Sequence, residues 1–109
     1  MSARRLEAPR QAAPVFAALG DETRLKLVAR LARGAQSISA LTTGASVTRQ
    51  AVTKHLEVLA RAGLVRSRRR GRERHWQLEP KKLDDAQHWL DVISRQWDDA
   101  LDRLRAHVE

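Results

Sequence analysis

The sequence predicts a small, mainly α domain of the α+β class, with one two-stranded hairpin and a long C-terminal helix. Three observations lead there. In "TRQAVTKHLEVLARAGLV" (48–65), Val52, Leu56 and Leu59 recur at spacings of four and three, so they form one apolar stripe on a helix that Gly63 stops. Residues 64–78, "LVRSRRRGRERHWQL", read as a hairpin. From about 82 to 107, Leu83, Ala86, Leu90, Ile93, Trp97, Ala100 and Leu104 alternate by three and four in a heptad-like seam. A short helix, a tight turn, an amphipathic basic helix and then a basic hairpin describe a winged helix-turn-helix.

Residues 1–9 read as a flexible basic tail and 10–109 as a single domain. A first helix is expected from about Arg10 or Pro14 to Leu19, broken by Gly20. Asp21 suits the N-cap of a second helix, and Glu22 adds negative charge in its first turn. That helix is expected to carry Leu25, Val28, Leu31 and Ala32 on one face and to end at Gly34. Ser37 or Ser39 then caps a brief third helix containing Leu41, kept short by the poor propensity of Thr42-Thr43-Gly44. The helix-turn-helix thus spans about 38–62 and the wing 64–78.

With Arg70-Gly71 as a two-residue loop, Arg69 faces Arg72, Ser67 faces Arg74 and Val65 faces Trp76. Val65, Trp76 and Leu78 then share the inner face. Pro80 interrupts the chain before the final helix, and Leu101 and Val108 widen its apolar stripe. A helix of ~25 residues spans ~38 Å, more than so small a body can cover. Leu90, Ile93, Trp97 and Leu101 are therefore expected to form a homodimer interface.

Charge points to the partner. The 109 residues carry a net charge of +8. Arg61, Arg66, Arg68, Arg69, Arg70, Arg72 and Arg74 are opposed in their segment by Glu73 alone, whereas acids outnumber bases from Asp84 onward. A basic middle kept apart from an acidic last helix calls for a polyanion, and like charges on paired strands are best relieved by one. Double-stranded DNA is the expected partner. Thr48, Arg49 and Gln50 open the helix that would reach base edges, with Thr53 and Lys54 one turn later. Arg68, Arg69, Arg70 and Arg72 are expected on phosphates or in the minor groove. Arg66 and Arg74, nearer the body, suit intramolecular salt bridges. His55 is expected to pack or hydrogen-bond between helices, and Trp76 to lie in the core.

Other classes are disfavoured. With no cysteine there are no disulfides, thiolate metal sites or cysteine nucleophiles. No apolar run nears the ~20 residues of a membrane span, and the start lacks the apolar block of a secretory signal. A cytoplasmic protein is expected, with no cofactor and no metal. No nucleophile–base spacing or glycine-rich phosphate loop is present, so no enzyme is expected. A second reading stays open: a nonspecific basic RNA- or ribosome-associated module using the arginine hairpin. Exposed aromatics on a sheet would favour it, and the hairpin offers only Trp76.

The succession "LGDETRLKLVARLARG", "SISALT", "VTRQAVTKHLEVLARAGLV" and "RSRRRGRERHWQLEP" resembles the ArsR family of bacterial winged-helix repressors, over about residues 16–79. The final "WLDVISRQWDDALDRL" is similar to a metal-independent, SdpR-like branch of autorepressors. The resemblance implies a dimeric, sequence-specific repressor. It places the fourth helix in the major groove, the wing along the backbone and the terminal helices in the dimer. Metal-responsive members carry a cysteine pair in the third helix, where this chain reads "SISALTT". Others use aspartate and histidine along the last helix, but Asp85 and His88 lack the spacing of such a site.

Overall fold

A computed structural model describes residues 9–108. Its elements run α1 (Pro9–Leu19), α2 (Glu22–Leu31), β1 (Gln36–Ser37), α3 (Ile38–Thr42), α4 (Arg49–Arg61), β2 (Val65–Arg70), β3 (Glu73–Leu78) and α5 (Pro80–Val108). The expected tail lies outside the described residues except for Pro9, which opens α1.

Three helices begin with the same device. Asp21, Ser37 and Thr48 have extended backbones, and each side chain accepts the amide of the residue three positions on: Arg24, Ala40 and Ala51. Each thereby satisfies one of the amides that a helix start leaves without a partner. The five-residue α3 has external help at its other end, where the Arg30 guanidinium donates to the carbonyls of Ala40 (2.7 Å) and Leu41 (3.0 Å). Pro80 does not merely interrupt the chain. It is the first residue of α5, where a missing amide proton costs nothing.

Helix α4 ends as its hydrophobic tail requires. Gly63 takes φ +81°, its amide donates to Ala60, and the Leu64 amide reaches back to the Leu59 carbonyl at 2.9 Å. This is the Schellman arrangement, in which apolar residues on either side of the glycine pack together. Leu59 and Leu64 are both wholly buried, beside Val52, Leu56 and Leu41 in one core.

Two expectations about packing need correction. In α2, Leu27 and Leu31 are buried and Val28 packs against the core, while Leu25 is 52% exposed. The helix stops at Leu31, with Ala32 as its C-cap. Both leucine sets fit a helical period, and the buried one is 27, 28 and 31. The sheet, moreover, has three strands in the order β1–β3–β2, because Gln36 and Ser37 pair with Trp76 and His75.

The hairpin register is also shifted by two residues. Val65 faces Leu78, Ser67 faces Trp76, Arg69 faces Arg74 and Arg70 faces Glu73, so the loop is Gly71-Arg72. The reason is conformational. Gly71 has φ +62°, and no non-glycine residue described has positive φ. A glycine in the first central position gives a type II′ loop, whereas an Arg70-Gly71 loop of type I′ would force an arginine into positive φ. A slip of two preserves the faces, so Val65, Trp76 and Leu78 still share the inner one.

Helix α5 has 29 residues, about 44 Å at 1.5 Å per residue. Its first turns cover the body: Ala86 is buried, and the Trp89 ring lies 5.7 Å from that of Phe16. The rest projects. The radius of gyration is 17.8 Å, against roughly 13 Å for a compact domain of about 100 residues. Along the projecting part Leu90, Ile93, Trp97 and Leu104 are exposed, Trp97 by 64%. Leu101 is half-buried. Among the described residues no helix is long and apolar enough to cross a membrane.

Candidate nucleic-acid interface

Since Val52, Leu56 and Leu59 fix the inner face of α4, its polar residues must turn outward. Arg49, Gln50 and Lys54 are exposed. Thr48 is exposed too, but its hydroxyl oxygen accepts the Ala51 amide at 3.0 Å, so its first task is to cap the helix. Thr53 is half-buried and donates to the Arg49 carbonyl at 3.0 Å. Arg68, Arg69, Arg70 and Arg72 are exposed at the wing tip.

The two groups meet through α3. Ser39 Oγ donates to Glu73 Oε2 at the start of β3 (2.9 Å), and Arg49 Nη1 stands 3.5 Å from the same Oγ. The beginning of α4 and the base of the wing loop therefore lie on one connected surface. Neither Ser39 nor Glu73 stands out from sequence as a site residue. The available signal is Glu73 itself, a lone acid among arginines.

The remaining polar residues brace this surface. Arg66 pairs with Glu79 at 3.3 Å, as expected of a residue near the body. Arg74 instead donates to the Ser67 hydroxyl at 2.7 Å. Behind α4, Arg24 Nη1 donates to His55 Nδ1 at 3.1 Å, and Arg24 Nε to the Ala18 carbonyl at 2.6 Å. His55 thus ties α4 to the α1–α2 corner, the interhelical role its position suggests. Asp21 lies 3.8 Å from the same imidazole nitrogen. The Arg24 amide, with help from the Arg24 charge, holds the Asp21 carboxyl below its usual range, against a smaller desolvation effect. Trp76 is buried in the core. Among the described residues no group of three or more His, Cys, Asp or Glu could hold a metal ion.

The geometry matches known proteins closely. A helix-turn-helix domain family matches residues 19–68. An ArsR-like transcriptional regulator from Rhodococcus sp. RHA1 superposes with a TM-score of 0.81 at 39% identity, covering 93% of this chain and 95% of that one. The chain belongs to the ArsR family of DNA-binding transcription regulators. Another similar structure is a homodimeric winged helix-turn-helix DNA-binding domain from Mycobacterium bovis, a possible ArsR-family regulator. It has a TM-score of 0.65 and 25% identity, covering 94% of this chain and 93% of that one. An HTH-type transcriptional regulator of Mycobacterium tuberculosis is 44% identical over 66 residues, 61% of this chain. That match spans 62% of the mycobacterial protein, less than two thirds of its length.

Proposed function

We propose that this ArsR-family chain is a dimeric, sequence-specific repressor that binds an inverted-repeat operator and acts in the cytoplasm. The observation that carries the reading is the connected surface of Arg49, Gln50 and the arginine wing, on the side of α4 opposite its buried stripe. The start of α4 enters the major groove, where arginine suits guanine and glutamine suits adenine. The wing arginines follow phosphates and set orientation more than sequence.

The apolar stripe of α5 supplies the second half of the reading. A contiguous exposed patch on a projecting helix is characteristic of an interaction site. The homodimeric Mycobacterium bovis domain supports a second copy of the chain as its partner. A two-fold dimer presents two α4 helices, so its half-sites are one or two helical turns apart.

The protein needs neither metal nor cofactor for this and performs no catalysis. The "SISALTT" segment offers no thiolate, and the four histidines stand in separate contexts. Zinc, which needs a tetrahedral set of ligands, would then bind weakly if at all. Isothermal titration decides: tight, stoichiometric zinc binding abolished by His88→Ala or His107→Ala overturns the metal-free reading.

The direct test of the repressor reading is selection of duplexes from a random pool by the full chain, then gel shifts on the enriched and scrambled sequences over a salt series. A preferred inverted repeat supports it. Equal affinity for both duplexes, with equal affinity for RNA, would instead establish a nonspecific basic module.

A further inference from the structure

Glu73 is the one acid between Arg61 and Arg74, a segment holding seven arginines. Arg70 stands directly across the hairpin from it. Yet among the described residues its hydrogen-bond partner is Ser39, 34 residues away in sequence, while Oε1 is buried with no partner. A buried carboxylate oxygen left unpaired beside so many cations requires an explanation.

What the carboxylate does through its other oxygen follows from the chemistry of the three groups. An ionised carboxylate only accepts, so the single hydroxyl proton of Ser39 goes to Glu73. The Ser39 oxygen then turns its lone pairs to other donors, and the donor that stands there is Arg49 Nη1, at 3.5 Å. The negative charge on Glu73 polarises the hydroxyl and strengthens it as an acceptor. Arginine has many rotamers to lose when it is fixed, and a pre-set guanidinium loses fewer on binding.

We propose that Glu73, acting through Ser39, is a specificity-determining positioning residue that holds the Arg49 guanidinium ready to read a base edge. The inference rests on the reading of Arg49 as a base contact. It predicts effects of opposite sign on the two kinds of DNA. Without Glu73, Arg49 reaches phosphates as readily as a base, and one negative charge leaves the binding face. Preference for the operator falls while general attraction to DNA holds or rises.

The test uses the full chain, with the duplex it enriches from a random pool and a scrambled duplex of the same composition. Ser39→Ala and Glu73→Ala should each lower the preference about 5- to 10-fold, and Glu73→Ala should bind the scrambled duplex at least as tightly as the wild type. Glu73→Gln, whose amide oxygen still accepts from Ser39, should recover most of the preference. In an Arg49→Ala background, neither Ser39→Ala nor Glu73→Ala should change it more than about 2-fold. Full losses persisting in that background, or equal weakening on both duplexes by variants that melt like the wild type, overturn the inference. Enrichment of no sequence by the wild type overturns the repressor reading and this inference with it.

Discussion

Leu59 and Leu64 close α4 together: the Leu64 amide meets the Leu59 carbonyl at 2.9 Å, and both side chains are wholly buried. Gly63 makes the closure possible with its φ of +81°. A Cβ at this position would also stand 3.2 Å from Lys82 Cγ, though that flexible chain can shift. Gly63→Ala should therefore lower stability by about 1–2 kcal/mol, mainly from the left-handed backbone. Chemical denaturation followed by circular dichroism measures it. An unchanged midpoint would show that the closure does not depend on glycine.

Substitutions on the surface proposed to face DNA should fall into two kinds. Arg49→Ala or Gln50→Ala should cost about 1–3 kcal/mol on the preferred duplex and little on scrambled DNA. Arg70→Ala or Arg72→Ala should weaken both DNAs and lower the salt slope by about one for each phosphate no longer neutralised. Gel shifts over a series of salt concentrations separate the two patterns.

Trp97 is 64% exposed in the single chain, which makes it a sensitive reporter of association. Covered by a second copy, its truncation should cost about 3–5 kcal/mol, enough to dissociate a dimer of ordinary affinity. Wild-type protein at micromolar concentration should sediment as a dimer, and Trp97→Ala as a monomer or aggregate. A monomeric wild type would contradict the interface on α5.

Acid should act through Asp21. Its carboxyl is held below the ordinary value of 3.8, first by the Arg24 amide. A depressed folded-state pKa contributes stability that is fully present above the unfolded value and lost as pH falls through the folded one. Asp21→Asn keeps a good cap and removes the charge. The stability difference between wild type and Asp21→Asn should be constant at neutral pH and shrink below about pH 4. Urea melts across the acid range test this, and a difference independent of pH would rule the ionised cap out.

What could be read from sequence differed from element to element. Helix α4 was legible because Val52, Leu56, Leu59 and Gly63 give one period and one stop. The faces of the wing were legible, since alternation fixes parity, but parity is blind to a slip of two. The register was decided by the backbone angle that Gly71 adopts, a property that "RG" does not reveal by itself. Strand β1 has only two residues, too few for any alternation to show. In α2 two leucine patterns competed, and only packing against the rest of the core chose Leu27 over Leu25. The exposed polar start of α4 and the arginine tip could be named as interface candidates from residue type. Their link through Ser39 and Glu73 could not, because it joins residues that only the tertiary fold brings together.

Among the described residues, the order β1–β3–β2 leaves one edge of β2 unpaired. An open edge invites strands from other molecules, and such pairing is a common start to aggregation. Here the edge carries Arg66, Arg68, Arg69 and Arg70 within six residues, so two copies approaching edge to edge would repel each other. The arginines suited to phosphates therefore also guard the free protein against self-stacking. That protection is strongest in dilute salt and weakens as ions screen it. Replacing these arginines with neutral residues would expose a bare sheet edge as well as weaken DNA binding.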